Sequence, residues 1–147
     1  MDVARTKVSL AKVPIMETWQ ALEALVDAGI TRSIGVSNFS TQLLYDVLSY
    51  ARHPISSLQI EHHPYLVQSQ LISMAQEEGI AVTGYSTFGP QSFLELPKAF
   101  GEKATDAQLL FDTPVVQKIS AKYGRSPGQV LLRWATQRFV AFTAWRI

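Results

Sequence analysis

Three short apolar stretches of the chain each run out onto side chains that hydrogen-bond or stack. Residues 33–37 (SIGVS) end on Ser37 and Asn38. Residues 57–61 (SLQIE) carry Gln59 and Glu61 and lead into His62 and His63. Residues 80–86 (IAVTGYS) end on Tyr85 and Ser86. Amide, hydroxyl and phenol groups gathered in this way suit a flat ligand that bears a carboxamide. Ser37 and Asn38 would meet its carbonyl and NH2, Gln59 would do so from a neighbouring strand, and Tyr85 would stack on the ring. Each residue alone has a blander explanation, because serine and asparagine commonly serve caps and turns. The repetition at three strand ends favours a site.

The other chemistry-bearing residues form no second constellation. His62 and His63 are adjacent, so on an extended segment they point to opposite sides and make poor joint metal ligands. No HExxH pattern or cysteine accompanies them, and no metal site is assigned. One histidine is expected buried with a hydrogen bond and the other near the rim. The stretch GYSTFG has the wrong spacing for a nucleophile elbow, and both Gly-x-Gly-x-x-Gly and the Walker A loop are absent. A dinucleotide's phosphates would therefore meet backbone N–H groups of residues 86–92, with Gln91 and Glu95 reaching a sugar. Lys98, Lys103, Lys118 and Lys122 belong to no evident proton-donor arrangement, so no catalytic residue is assigned.

The elements that must position these residues follow from periodicity. Pro14 begins a helix with Ile15, Trp19, Leu22 and Val26 as its stripe, stopped by Gly29. Ser40 caps a second helix through Leu43, Leu44, Val47, Leu48 and Ala51. A third, near 68–78, turns Leu71, Ile72 and Ala75 inward. A fourth starts at Thr113 and Pro114, is lined by Val115, Val116, Ile119 and Tyr123, and ends at Gly124. Ser126, Pro127 and Gln129 form a capping box for a fifth. Residues 139–145 read as a last, weaker strand. Strands alternating with helices imply a parallel sheet with crossover helices. Periodicity leaves open a small open sheet or an arc of a closed barrel, since complete eight-stranded barrels take about 250 residues.

Composition narrows the function classes. The 147 residues suffice for one domain with a core, and 47% hydrophobic against 17% charged excludes a disordered chain. A net charge of +1 without a basic block gives no footprint for nucleic acid. No apolar run reaches about 18 residues, so no membrane span is expected. The absence of cysteine excludes disulfides and suits the cytoplasm.

Four ordered blocks carry a resemblance. GITRSIGVSNF (29–39), SLQIEHHPYL (57–66), GIAVTGYSTFGPQSF (79–93) and GRSPGQVLLRWATQR (124–138) resemble the aldo-keto reductase family, nearest to its fungal D-xylose reductases, over roughly residues 8–138. The resemblance implies a partial (β/α)8 TIM barrel, about strands five to seven with a remnant of strand eight. It implies NADPH, or NADH, as coenzyme and small aldehydes or sugars as substrates. By the same resemblance Ser37, Asn38 and Gln59 bind the nicotinamide carboxamide and Tyr85 stacks under its ring. Ser86, Phe88, Gln91, Ser92 and Glu95 lie over the pyrophosphate and sugar. The family's catalytic Asp, Tyr, Lys and His come from the first half of its barrel and have no counterpart here. Its Pro-Lys-Ser segment is replaced by FVAFTAWRI. The expectation is a single partial reductase domain over 1–147, with a lead-in at 1–12 and a divergent tail at 139–147. It holds part of a coenzyme site, is inactive alone, and can self-associate through open sheet edges. The alternatives are a non-catalytic nucleotide-binding module or an assembly partner.

Overall fold

The structure is a computed structural model that describes residues 12–89 and 109–143. Its elements alternate as expected. They are α1 (Ile15–Asp27), β1 (Ile34–Ser37), α2 (Thr41–Tyr50), β2 (Ile55–Glu61), α3 (Ser69–Glu77) and β3 (Ala81–Tyr85). A 3-10 turn (Leu110–Asp112), α4 (Pro114–Tyr123), α5 (Pro127–Thr136) and β4 (Val140–Phe142) follow. The four strands make one sheet in the order β1-β2-β3-β4, and every pair is parallel. The last strand is present over Val140–Phe142, and residues 144–145 of the expected stretch lie outside the described residues. This is an α/β arrangement consistent with an arc of a TIM-like barrel.

Register sorts the strands into two faces. Val36, Leu58, Val82 and Val140 lie in a row, and Leu58, Val82 and Val140 are buried under the helices with Ile60, Leu44, Val47, Ile72 and Ala75. The alternate row is Ser37, Gln59 and Thr83, with Ser57 beside Gly35 and Ala81, and Ala141 beside Thr83. That second face is short and polar, and Ser57, Gln59 and Thr83 on it are half-buried. Gly35 is required there. A Cβ would collide with the Ser57 side chain and stand 2.5 Å from the Ser57 carbonyl oxygen.

Helix ends follow local chemistry, with two departures. Ser40 Oγ accepts from the Leu43 N–H, and Ser126 with Gln129 closes a reciprocal capping box. Pro14 stands at the N-cap of α1 rather than inside it, and Thr113 caps nothing with its hydroxyl, which donates to the Leu110 carbonyl. The inward lining expected of α4 is also corrected. Of its apolar residues only Val116 is buried, whereas Val115, Ile119 and Tyr123 are exposed.

A buried carboxylate holds α1 in place. Glu23 is 1% exposed, and its Oε1 accepts from the backbone N–H groups of Arg52 (2.6 Å) and His53 (3.0 Å) and from Trp19 Nε1 (3.1 Å). Arg52 Nε lies 3.3 Å from Glu23 Oε2. One turn further along α1, Asp27 meets Arg52 Nη2 at 2.9 Å and His53 Nε2 at 2.7 Å. The turn from α2 into β2 would otherwise leave those N–H groups without partners. The His53 amide, followed by Arg52, holds the Glu23 carboxyl below its ordinary range, against the opposing effect of burial. His53 and then Arg52 do the same for Asp27.

Two outcomes follow for stability. A carboxyl whose folded pKa is depressed stabilises the fold above its unfolded pKa and loses that contribution as pH falls through the folded value. Urea unfolding of Glu23→Gln should show a lower midpoint at pH 7, and the gap to the parent should close as pH falls below about 4. Leu58 is fully buried in the helix-facing row, so Leu58→Ala should cost about 2–5 kcal/mol by the same measurement, with the slope unchanged.

Candidate coenzyme site

The carboxyl ends of β1, β2 and β3 come together as expected. Ser37 stands opposite Gln59, and Glu61 opposite Tyr85. Beyond the end of β1, the Asn38 N–H donates to the Gln59 carbonyl at 2.8 Å. The Tyr85 hydroxyl donates to Asn38 Oδ1 at 2.9 Å. Because β2 lies between β1 and β3, the Tyr85 side chain must reach across the end of the central strand. Its ring thereby forms a platform at the rim, and the bond fixes the Asn38 amide with Nδ2 left to donate.

The backbone turns sharply at two of these positions. Asn38 has φ 60° and Ser86 φ 52°, both left-handed. Asparagine tolerates this conformation, whereas for serine it stores about 1–2 kcal/mol of strain. Ser86 then starts a tight turn in which its carbonyl accepts from the Gly89 N–H at 2.8 Å. Phe88 is placed differently from the rim residues. Its ring packs on Phe111, with centroids 5.4 Å apart, and lies close to Gly128 near the start of α5. Gln91, Ser92 and Glu95 lie outside the described residues. Among the described residues no three metal-binding side chains gather.

The histidines depart from expectation, because both are buried. His63 Nε2 lies 3.0 Å from Glu61 Oε1, and its ring meets Tyr65 edge-on. The i, i+2 spacing of Glu61 and His63 on an extended segment was the available signal for this pair. Gln68 Nε2 donates to the Glu61 carbonyl at 2.6 Å and closes the end of β2. His62 stacks on Trp134 with ring centroids 4.6 Å apart, and the Arg138 guanidinium lies 4.3 Å from that indole's centre. His62 is fully buried, and a Val67 backbone group is the polar neighbour of its ring. Sequence offered no signal for this stack, which joins the end of β2 to a helix more than seventy residues later.

A family model described as the aldo/keto reductase family matches residues 5–144. The chain belongs to the aldo/keto reductase family. It is 59% identical over 138 residues to a probable NAD(P)H-dependent D-xylose reductase of Emericella nidulans, covering 94% of this chain and 42% of that protein. It is 55% identical over 140 residues to an NAD(P)H-dependent D-xylose reductase of Pyricularia oryzae, covering 95% and 42%. A solved aldose reductase from Schistosoma japonicum superposes with a TM-score of 0.77 at 31% identity, over 94% of this chain and 40% of its own. The chain therefore spans about two fifths of the length of these aldo/keto reductases.

Burial lowers the pKa of His62, and the charges of Arg138 and His63 act in the same direction, while a Val67 backbone group opposes them. The folded state therefore favours the neutral ring. Stability tied to His62 is present above about pH 6.5 and is lost as pH falls through the lower folded value. His62→Leu should remove that part of the slope in urea midpoints measured between about pH 7 and pH 5.

Proposed function

We infer that this chain supplies the nicotinamide-facing part of the coenzyme site of an NAD(P)H-dependent aldehyde and ketone reductase. For the complete protein, D-xylose reduction to xylitol is the reaction favoured by the names of its D-xylose reductase relatives. The Tyr85–Asn38 bond carries the reading, because it orients one amide and one aromatic face at the same strand ends.

The residues present fit a nicotinamide headgroup. Asn38 Nδ2 and the Ser37 hydroxyl would face its carbonyl and NH2, and the Gln59 side chain, on the same face as Ser37, would join them. The Tyr85 ring would lie against the flat heterocycle. When bound, the coenzyme supplies the hydride. This chain's part is to hold and orient the headgroup and to exclude water beneath it. No catalytic residue is assigned, since the Tyr85 hydroxyl is engaged by Asn38. The chain alone is expected to bind coenzyme without turning over an aldehyde. Self-association belongs to the same reading. Among the described residues β1 and β4 each have one neighbour in the sheet, and a parallel strand from a second copy would complete either edge.

NADPH titration followed by coenzyme fluorescence tests the proposal. Asn38→Ala should raise Kd about tenfold, roughly 1.4 kcal/mol, and Tyr85→Phe should raise it less. D-xylose should not accelerate NADPH oxidation by the chain alone. Repeating the titration across protein concentrations reports whether association strengthens binding. A folded chain that binds no NADPH, or binds it equally well without Asn38, overturns the reading.

A further inference from the structure

α4 has apolar residues on two sides, and among the described residues only one of them is packed. Val116 is 6% exposed and packs with Leu110 and Leu131 in a small second core. Val115 is 68% exposed, Ile119 37% and Tyr123 63%. These three recur at i, i+4 and i+8, a row about 12 Å long on a helix. A surface helix is normally apolar on one stripe, and a second stripe marks a second partner.

The row lies along a groove of about 1050 Å³ whose lining also includes Pro64 and Tyr65 from the turn after β2. Tyr65 is itself 51% exposed. Lys118, Lys122, Arg125 and Arg133 also line the groove, and among the described residues no carboxylate does. Ser37, Asn38, Gln59 and Tyr85 take no part in it, so the groove is separate from the coenzyme rim.

Charge and shape together select the occupant. A neutral apolar cover would desolvate four cations without compensation. A second copy presenting this face would set four cations against four. Three exposed side chains spaced by successive turns over about 12 Å match the repeat of a helical stripe better than the single anchor point of a small ligand. Pro64 and Tyr65 line the groove together with residues of α4 and α5, and a concave lining receives a rod better than a flat lipid surface. We propose that this groove docks an acidic amphipathic helix of a partner polypeptide. Its apolar residues at i, i+4 and i+7 would lie on Val115, Ile119 and Tyr123, with Asp or Glu flanking them toward the lysines and arginines.

The test uses the full chain and two synthetic helical peptides of about fourteen residues with the same leucine stripe. One carries flanking Glu and the other Lys at the same positions, and binding is read by fluorescence anisotropy. The Glu peptide should bind at least about tenfold tighter than the Lys peptide. Val115→Ser with Ile119→Ser should abolish that binding, and Lys118→Glu with Lys122→Glu should reverse the preference. All four residues are exposed, so circular dichroism and NADPH binding should match the parent and separate loss of docking from loss of fold. Equal affinity for the two peptides, or no binding by the folded chain, overturns the proposal. So does co-sedimentation with phosphatidylserine vesicles that exceeds peptide binding and is lost with the same substitutions. Dimerisation in sedimentation equilibrium abolished by Val115→Ser overturns it in favour of a second copy.

Discussion

The parallel register of β2 between β1 and β3 is the constraint on which the rest depends. With Leu58 beside Val36 and Val82, the bulky aliphatic residues share the face beneath the helices. With Gln59 beside Ser37 and Thr83, the polar residues share the other. A slip of one residue would exchange these faces, burying Gln59 and Glu61 while exposing Leu58 and Ile60. The same register sets the rim: Ser37, the end of β1, stands opposite Gln59, two residues before β2 and β3 end side by side at Glu61 and Tyr85. From there Tyr85 reaches Asn38 across the intervening strand. The irregularity between Ile34 and Gly35 belongs to this arrangement, since it absorbs one residue of β2 and brings Gly35 against Ser57.

Two polar devices secure the edges of that core. At one end Glu23 satisfies the amides left open where α2 turns into β2. Its cost of burial is offset by three donors and a guanidinium on one carboxylate. At the other end His62 lies on Trp134, with a Val67 backbone group as the polar neighbour of its ring. The two devices differ in kind. Glu23 is held by directional bonds to backbone, whereas His62 is held by packing and remains a polar group at an apolar junction.

Much of the sheet was legible because its strands are short, apolar and separated by helices with evident caps. The rim was legible because Ser37, Asn38, Gln59 and Tyr85 all sit at strand ends, where backbone direction decides which side chains converge. Legibility failed where faces compete. In α4, Val115, Val116, Ile119 and Tyr123 read as one lining, but a 3.6-residue period cannot say which of two apolar stripes meets the core. Glu23 reads as a solvent residue until its i, i+4 relation to Trp19 is noticed. Contacts distant in sequence, such as Phe88 with Phe111 and His62 with Trp134, leave no periodic trace at all.

The polar side of the sheet carries hydroxyls, an amide and alanine in place of large aliphatics. Such a surface is wettable, so nonspecific stickiness offers little incentive to cover it. What remains for recognition along the strands is the row of amides and carbonyls at the outer borders of β1 and β4. Those groups discriminate by orientation: an incoming strand must run the same way and align residue by residue. The arc thus admits additional strands selectively, by hydrogen-bond geometry.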